Sequence, residues 1–438
     1  MSQKPPGPNP ARSGAWFQAF WILALAIGLA GAIAWHFGKR SPQPEPASAQ
    51  SVAQDRPSAE PAASARPAAP FPPALAAGWT RSTNAPLIAR LFDVSLPLAA
   101  RRRAARELAR IGSDDAIAAL KVALAGGPPY LKAAIGEGLG ESPNPEAGAL
   151  LRELANDTDE TAARGAVRGL AMRGGAEAAE ALAGFLGDED KPESVRTEAA
   201  LALGDVEGPE ALAALTRAVA EIHDESIAGS ILEGLAKRPF DETEQAFSNY
   251  LETPNLTGES KAAALEALAN TQGEVAPFLI QYAADPDSQV RAAAAWSLTS
   301  TESETNLSPQ LTDWLKQETD SEVRTRLYQA LGNQDNYDVT ALMALAQKET
   351  DPAARLAGLE LLGRACGPDS TPDLLSFFNQ TAVPELTKAA LSGDNPQQRL
   401  NSVQALSQAG TPESIHALQQ IAGSSGDPAI VAAAQGMR

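Results

Sequence analysis

Three pairs of residues repeat one spacing: Asp287 and Arg291, Asp320 and Arg324, Asp351 and Arg355. Each sets a carboxylate four residues before a guanidinium at the start of a helical pattern. At one helical turn apart, such groups offer ion pairing and hydrogen bonding rather than bond cleavage. Lys132, Arg196, Lys261 and Arg399 hold the same register as these arginines, whereas Ala104, Ala163 and Ala228 interrupt it. Residue types that usually carry catalysis are sparse. His36, His223 and His416 are far apart in sequence, and there is no His-Glu-x-x-His or Cys-x-x-Cys pairing. A phosphate-cradling Gly-x-x-x-x-Gly-Lys-Ser/Thr and a Gly-x-Ser-x-Gly nucleophile turn are also missing. Cys366, the single cysteine, stands beside Gly367 with no activating base in view, and reads as a packed side chain. One cysteine excludes an intrachain disulfide and a cysteine-rich metal site. No catalytic residue, metal or cofactor is expected.

The element that positions the charged pairs is a helix repeated along the chain, seen most plainly in Val195-Arg-Thr-Glu-Ala-Ala-Leu-Ala-Leu-Gly204. Val195, Ala199, Leu203 and Val206 fall at three- to four-residue spacing, one stripe of a helix. Small alanines beside them let a neighbouring helix approach closely, and Gly204 suits a left-handed stop. Pro209 to Ala220 carries a second apolar stripe at Leu212, Leu215 and Val219, so one unit is a hairpin of two antiparallel helices. Copies end at Ile111, Leu139, Leu170, Leu203, Leu235, Leu268, Leu298, Leu331, Leu362, Leu406 and Met437. A period near thirty residues predicts a stacked solenoid in which each unit buries its apolar face against its neighbours.

Two places depart from the rhythm and are candidate contact sites. Arg101, Arg102, Arg103, Arg106 and Arg110 cluster on the first copy, either as a solvated capping face or as a docking patch for an anionic lipid, acidic polymer or acidic partner. The interval between Leu362 and Leu406 is about a dozen residues longer than the others and contains Phe377 and Phe378. Insertions in solenoids project from one face and often bind, although a padded connection fits equally well.

Charge is uneven. Of a net −19, residues 81–110 carry seven arginines against Asp93 and Glu107, and the residues after 110 carry −27. An acidic array repels phosphates, so no nucleic acid partner is expected.

Upstream, residues 1–15 read as a polar tail and 38–83 as a Pro/Ala-rich disordered linker, with the solenoid at 84–438. Trp16 to Phe37 is an apolar stretch long enough for a hydrocarbon core of about 30 Å, flanked by tryptophans, and reads as one transmembrane helix. A cleaved signal peptide is the competing reading. Ala24, Gly28 and Ala32 offer a small-residue ridge for a homodimer within the membrane. The expected location is the bacterial inner membrane, single-pass, with the solenoid on the periplasmic side.

Val195-Arg196, Val290-Arg291 and Val323-Arg324, followed by alanine-rich helices ending in Leu203, Leu298 and Leu331, resemble the HEAT repeat family, specifically the bacterial HEAT-like repeats also found in phycobilisome lyases. The resemblance covers roughly residues 85–438. It implies an all-α, right-handed solenoid of about eleven helical hairpins, in which the Asp and Arg pairs form structural ladders between repeats. It also implies one enzymatic alternative, the attachment or removal of a bilin. The function expected from the whole sequence is a membrane-anchored, non-enzymatic scaffold or adaptor that binds proteins.

Overall fold

The computed structural model describes residues 79–436 apart from 223, 302, 304, 335, 368 and 369. Among the described residues there is no strand. Helix α1 (Ala85–Phe92) leads into α2 (Leu98–Ile111), α3 (Asp114–Gly126), α4 (Pro129–Gly140) and α5 (Ala147–Leu154). The hairpins continue with α6 (Glu160–Arg173), α7 (Gly175–Gly187), α8 (Glu193–Asp205), α9 (Pro209–Glu221), α10 (Glu225–Ala236) and α11 (Phe240–Leu251). Next come α12 (Gly258–Ala267), α13 (Ala276–Ile280), α14 (Ser288–Ser297), α15 (Ser308–Gln317), α16 (Ser321–Leu331) and α17 (Val339–Lys348). The array closes with α18 (Pro352–Ala365), α19 (Pro372–Phe377), α20 (Val383–Ser392), α21 (Pro396–Ala409), α22 (Pro412–Ser424) and α23 (Pro428–Gly436).

The repeated helices are the even-numbered ones from α2 to α18, then α21 and α23, and each packs on the one before and the one after. They start where the sequence supplies a cap. Asp159, Asp224, Asp287, Asp320, Asp351 and Asn395 each accept hydrogen bonds from main-chain N–H groups of the first turn. Losing one such cap costs about 1 kcal/mol. Proline at the first helical position of α4, α9, α18, α21 and α22 sets the entry angle without removing a helical hydrogen bond.

Leu139, Leu170, Leu203, Leu235, Leu268, Leu298, Leu331, Leu362 and Leu406 are all buried. The first copy differs. Leu108 is the buried residue and Ile111 is exposed, because α2 runs on to Gly112, whose φ of +62° closes the helix in the left-handed region. Neighbouring repeated helices come close enough to exclude a side chain. A Cβ on Gly165 would lie 2.4 Å from Cα of Ala133, and one on Gly169 would lie 2.2 Å from the carbonyl oxygen of Gly136.

The long interval after Leu362 is helical rather than a loop. Residues 372–392 run as α19, one π-helical turn (Phe378–Ala382) and α20. Pro384 lacks the N–H that would bond to residue 380, and the backbone takes up the mismatch in the wider turn just before it.

The sequence also placed a transmembrane helix at Trp16–Phe37. That segment lies outside the described residues, as do the tail at 1–15 and most of the linker at 38–83. Among the described residues no helix is long and apolar enough to cross a membrane. The longest of them have 14 residues, about 21 Å of helix against a core of about 30 Å. The expectation is therefore corrected for the described residues: they form an all-α helical-repeat solenoid in which no helix could cross a membrane. No helix among the described residues supports the expected single-pass inner-membrane location or the intramembrane dimer.

Candidate protein-binding face and its ion-pair ladder

Asp287, Asp320 and Asp351 do not pair with the arginines four residues on; their carboxylates are occupied as helix caps. The guanidinium groups reach the next repeat instead. Arg291 meets Glu318 at 2.8 Å, Arg324 pairs with Glu349, Arg355 meets Glu385 at 2.8 Å and Arg399 meets Asp427 at 3.1 Å. Lys132 and Lys261 do the same with Asp157 and Asp285, at 2.6 and 3.6 Å. Several of these cations also donate backwards to main-chain carbonyls. Arg324 bonds to the oxygens of Leu315 and Glu318, each at 2.9 Å, Arg355 to that of Ala346 at 3.0 Å, and Arg399 to that of Ala390 at 3.0 Å. Each arginine thus satisfies an orphan carbonyl at the end of one helix and ties it to the following repeat.

From Lys261 to Asp427 this ladder is continuous. Upstream it breaks: among the described residues Arg196 bonds to the carbonyl of Leu186, at 3.0 Å, and forms no ion pair, since Ile222 stands where an acid would answer it. The acidic partners went unnoticed in the sequence although a signal was present. Asp157, Asp285, Glu318 and Glu349 each sit two residues before a capping aspartate, so the repeated motif is acid-x-Asp, with one carboxylate for the previous repeat and one for the helix it starts.

Glu318 shows how strongly these groups are held. Burial alone would raise its carboxyl, but hydrogen bonds from Arg291, from the N–H groups of Asp320 and Thr319 and from the Trp314 indole bring it down to about 2.

The repeated helices also share one register that reaches solvent wholly or in part. Two residues before the core leucines stand Arg106, Glu137, Arg168, Leu201, Glu233, Glu266, Trp296, Gln329, Glu360 and Gln404. None of these is fully buried. Along α2 to α8 they are cross-linked: Arg106 pairs with Glu137, Arg168 lies 3.4 Å from Glu137 and 3.1 Å from Glu198, and Arg164 lies 2.8 Å from Glu198. Farther along, Glu360 accepts from the Ser402 hydroxyl at 3.1 Å, yet burial pushes its carboxyl up to about 7. Burial likewise raises Glu266.

The five predicted arginines differ in what they meet. Arg101 donates to the carbonyl of Leu91 at 3.0 Å, tying α2 to α1. Arg106 and Arg110 pair with Glu137 and Glu141 of the next repeat. Arg102 and Arg103 form no ion pair among the described residues. In the insertion Phe378 is fully buried and Phe377 half-buried against the core, so the phenylalanines anchor it. The open groove there, of about 810 Å³, lies between α20 and α22 and is lined by Val383, Thr387, Lys388, Leu391, Glu413 and His416 among others.

His36 and His223 lie outside the described residues. Among the described residues no group of three or more His, Cys, Asp or Glu side chains could hold a metal. The Cys366 thiol is buried, and burial raises its pKa, the opposite of what an activated nucleophile needs.

No curated protein matches the chain. Among solved structures it is similar to the karyopherin Kap121p bound to the extreme C-terminus of the protein phosphatase Cdc14p, at 12% identity over 81% of this chain and 49% of that one, with a TM-score of 0.47. It is also similar to importin beta, at 14% identity over 83% of this chain and 58% of that one, with a TM-score of 0.45. The chain thus spans about half the length of these structures. The family described as HEAT repeats matches at residues 84–168, 120–193, 150–236, 245–332 and 308–392, more than half of the chain. With its stacked hairpins, buried leucines and ladder of charged pairs, this chain belongs to the HEAT repeat family.

Proposed function

We propose that the chain is a non-enzymatic scaffold or adaptor that binds protein partners through the exposed register of its repeated helices. The observation that carries this reading is the contrast within each repeated helix. The core leucine is retained from copy to copy, whereas the residue two positions before it changes among Arg, Glu, Leu, Trp and Gln and is exposed or half-buried in every copy. Packing fixes the first position; the second is free to carry recognition. Helices spaced about 8–10 Å apart place ten such positions along roughly 70–90 Å, which suits an extended polypeptide better than a small substrate. A bilin-lyase-like activity is the alternative that the repeats suggest; a purified protein free of chromophore counts against it.

Affinity capture with the full chain tests the proposal. Proteins retained by the native chain should be lost from a variant carrying Glu233→Arg and Glu266→Arg, with helical content and melting temperature unchanged. No specific protein above background, or identical capture by the variant, would sink it.

A further inference from the structure

The exposed register divides into two electrical halves. At positions two, five and six residues before the core leucines, α2 to α8 present Arg102, Arg103, Arg106, Arg164 and Arg168 against only Glu137 and Glu198. The same positions on α10 to α18 present Glu233 and Glu266, with Glu360 half-buried and protonated below about 7, against Arg326 alone. The sign therefore reverses between α8 and α10.

Within the basic half, two carboxylates are shared among three arginines, because Glu137 serves Arg106 and Arg168 while Glu198 serves Arg168 and Arg164. Arg102 and Arg103 are left over. With Ala99 and Arg106 they line a hollow of about 260 Å³ on α2, and the Nε of Arg102 is buried without a hydrogen-bond partner among the described residues. A buried guanidinium N–H lacking an acceptor is costly, and a carboxylate is the acceptor whose two oxygens match its geometry. Tyr130, 59% exposed, holds on α4 the register that Ala99 holds on α2.

We infer that the basic half of the face, centred on Arg102 and Arg103, binds a glutamate- or aspartate-rich segment of a protein partner. The inference deepens the scaffold reading and rests on it. The rest of the molecule sharpens the charge argument: in a chain of net −19, an acidic ligand is repelled everywhere except where positive side chains outnumber negative ones. The contact is electrostatic and open to solvent, so it weakens as salt shortens the screening length.

The test is fluorescence anisotropy with the full chain and a labelled glutamate-rich peptide at low ionic strength. Saturable binding is expected, weakened about tenfold in Arg102→Glu/Arg103→Glu, weakened less in Arg102→Lys/Arg103→Lys, which keep the charge but lose the fork, and suppressed by salt. A lysine-rich peptide of equal length should not compete at this half. Absence of saturable binding, or equal binding by the charge-reversed variant, overturns the inference. Competition by a single-stranded oligonucleotide as effective as by the unlabelled peptide also overturns it, since the surface would then be selecting charge without selecting protein. Capturing partners in parallel separates the two readings. Partners retained by the charge-reversed variant while no chain binds the peptide would remove this inference alone; loss of partners from the native chain as well would remove the scaffold.

Discussion

At the scale of single residues, two glutamates are set in opposite directions by the same solenoid. Glu318 has a folded pKa of about 2, below the ordinary 4.5, so its ionised form stabilises the fold above the unfolded value and that contribution is lost as pH falls from 4.5 towards 2. Glu318→Gln should lower stability at neutral pH by roughly 3 kcal/mol, since Arg291 loses its buried partner, and should flatten the acid limb of a stability-against-pH curve. Denaturant unfolding at a series of pH values measures both. Glu360 is raised to about 7 from the same 4.5, so the protonated form stabilises the fold; that benefit is complete below 4.5 and is lost as pH rises through 7. Glu360→Gln should therefore stabilise the protein above pH 7 and change little at pH 4, read by the same titration; equal effects at both pH values would contradict the assignment. Neither behaviour was legible in the sequence. The capping aspartates stand in helix-start patterns that can be read directly, whereas the acid that answers each arginine lies a repeat away, and only stacking shows that Glu318 and Arg291 meet.

At the scale of elements, the sequence pattern carried far. The stripe of leucines and alanines located the repeated helices, and the proline and aspartate starts located their first turns. It failed at Ile111, where apolar character alone placed the core one turn beyond Leu108, and at the insertion, where the phenylalanines that seemed free to project are packed inward. Glycine inside the repeated helices is the feature whose consequence needs three dimensions. Gly169 faces the carbonyl of Gly136 with no space for a methyl group, so Gly169→Ala should cost about 1–3 kcal/mol through forced separation of α4 and α6. On α7 a methyl group added at Gly184 would meet nothing within 4 Å, so Gly184→Ala should stabilise by about 0.5–1 kcal/mol through helix propensity. Melting curves of the two variants should move in opposite directions; a shift of the same sign in both would mean that α4 and α6 do not approach as described.

At the scale of the whole molecule, each repeat joins its neighbours by two separate means, a dry leucine and alanine seam and, from Lys261 onward, a chain of charged pairs at the helix starts. The outward register carries ion pairs between repeats along α2 to α8, and its chemistry is freer to vary than that of the core. The direct test of the account is site-specific photocrosslinking in cells with the full chain. A photoreactive phenylalanine analogue placed at Glu233 or Gln329, both exposed on the repeated helices, is predicted to give discrete protein adducts. The same analogue at Glu180 on α7 or Arg217 on α9, in the opposite layer, is predicted to give none. Adducts confined to the opposite layer, or absent from every position, would contradict the claim that the repeated helices form the binding face.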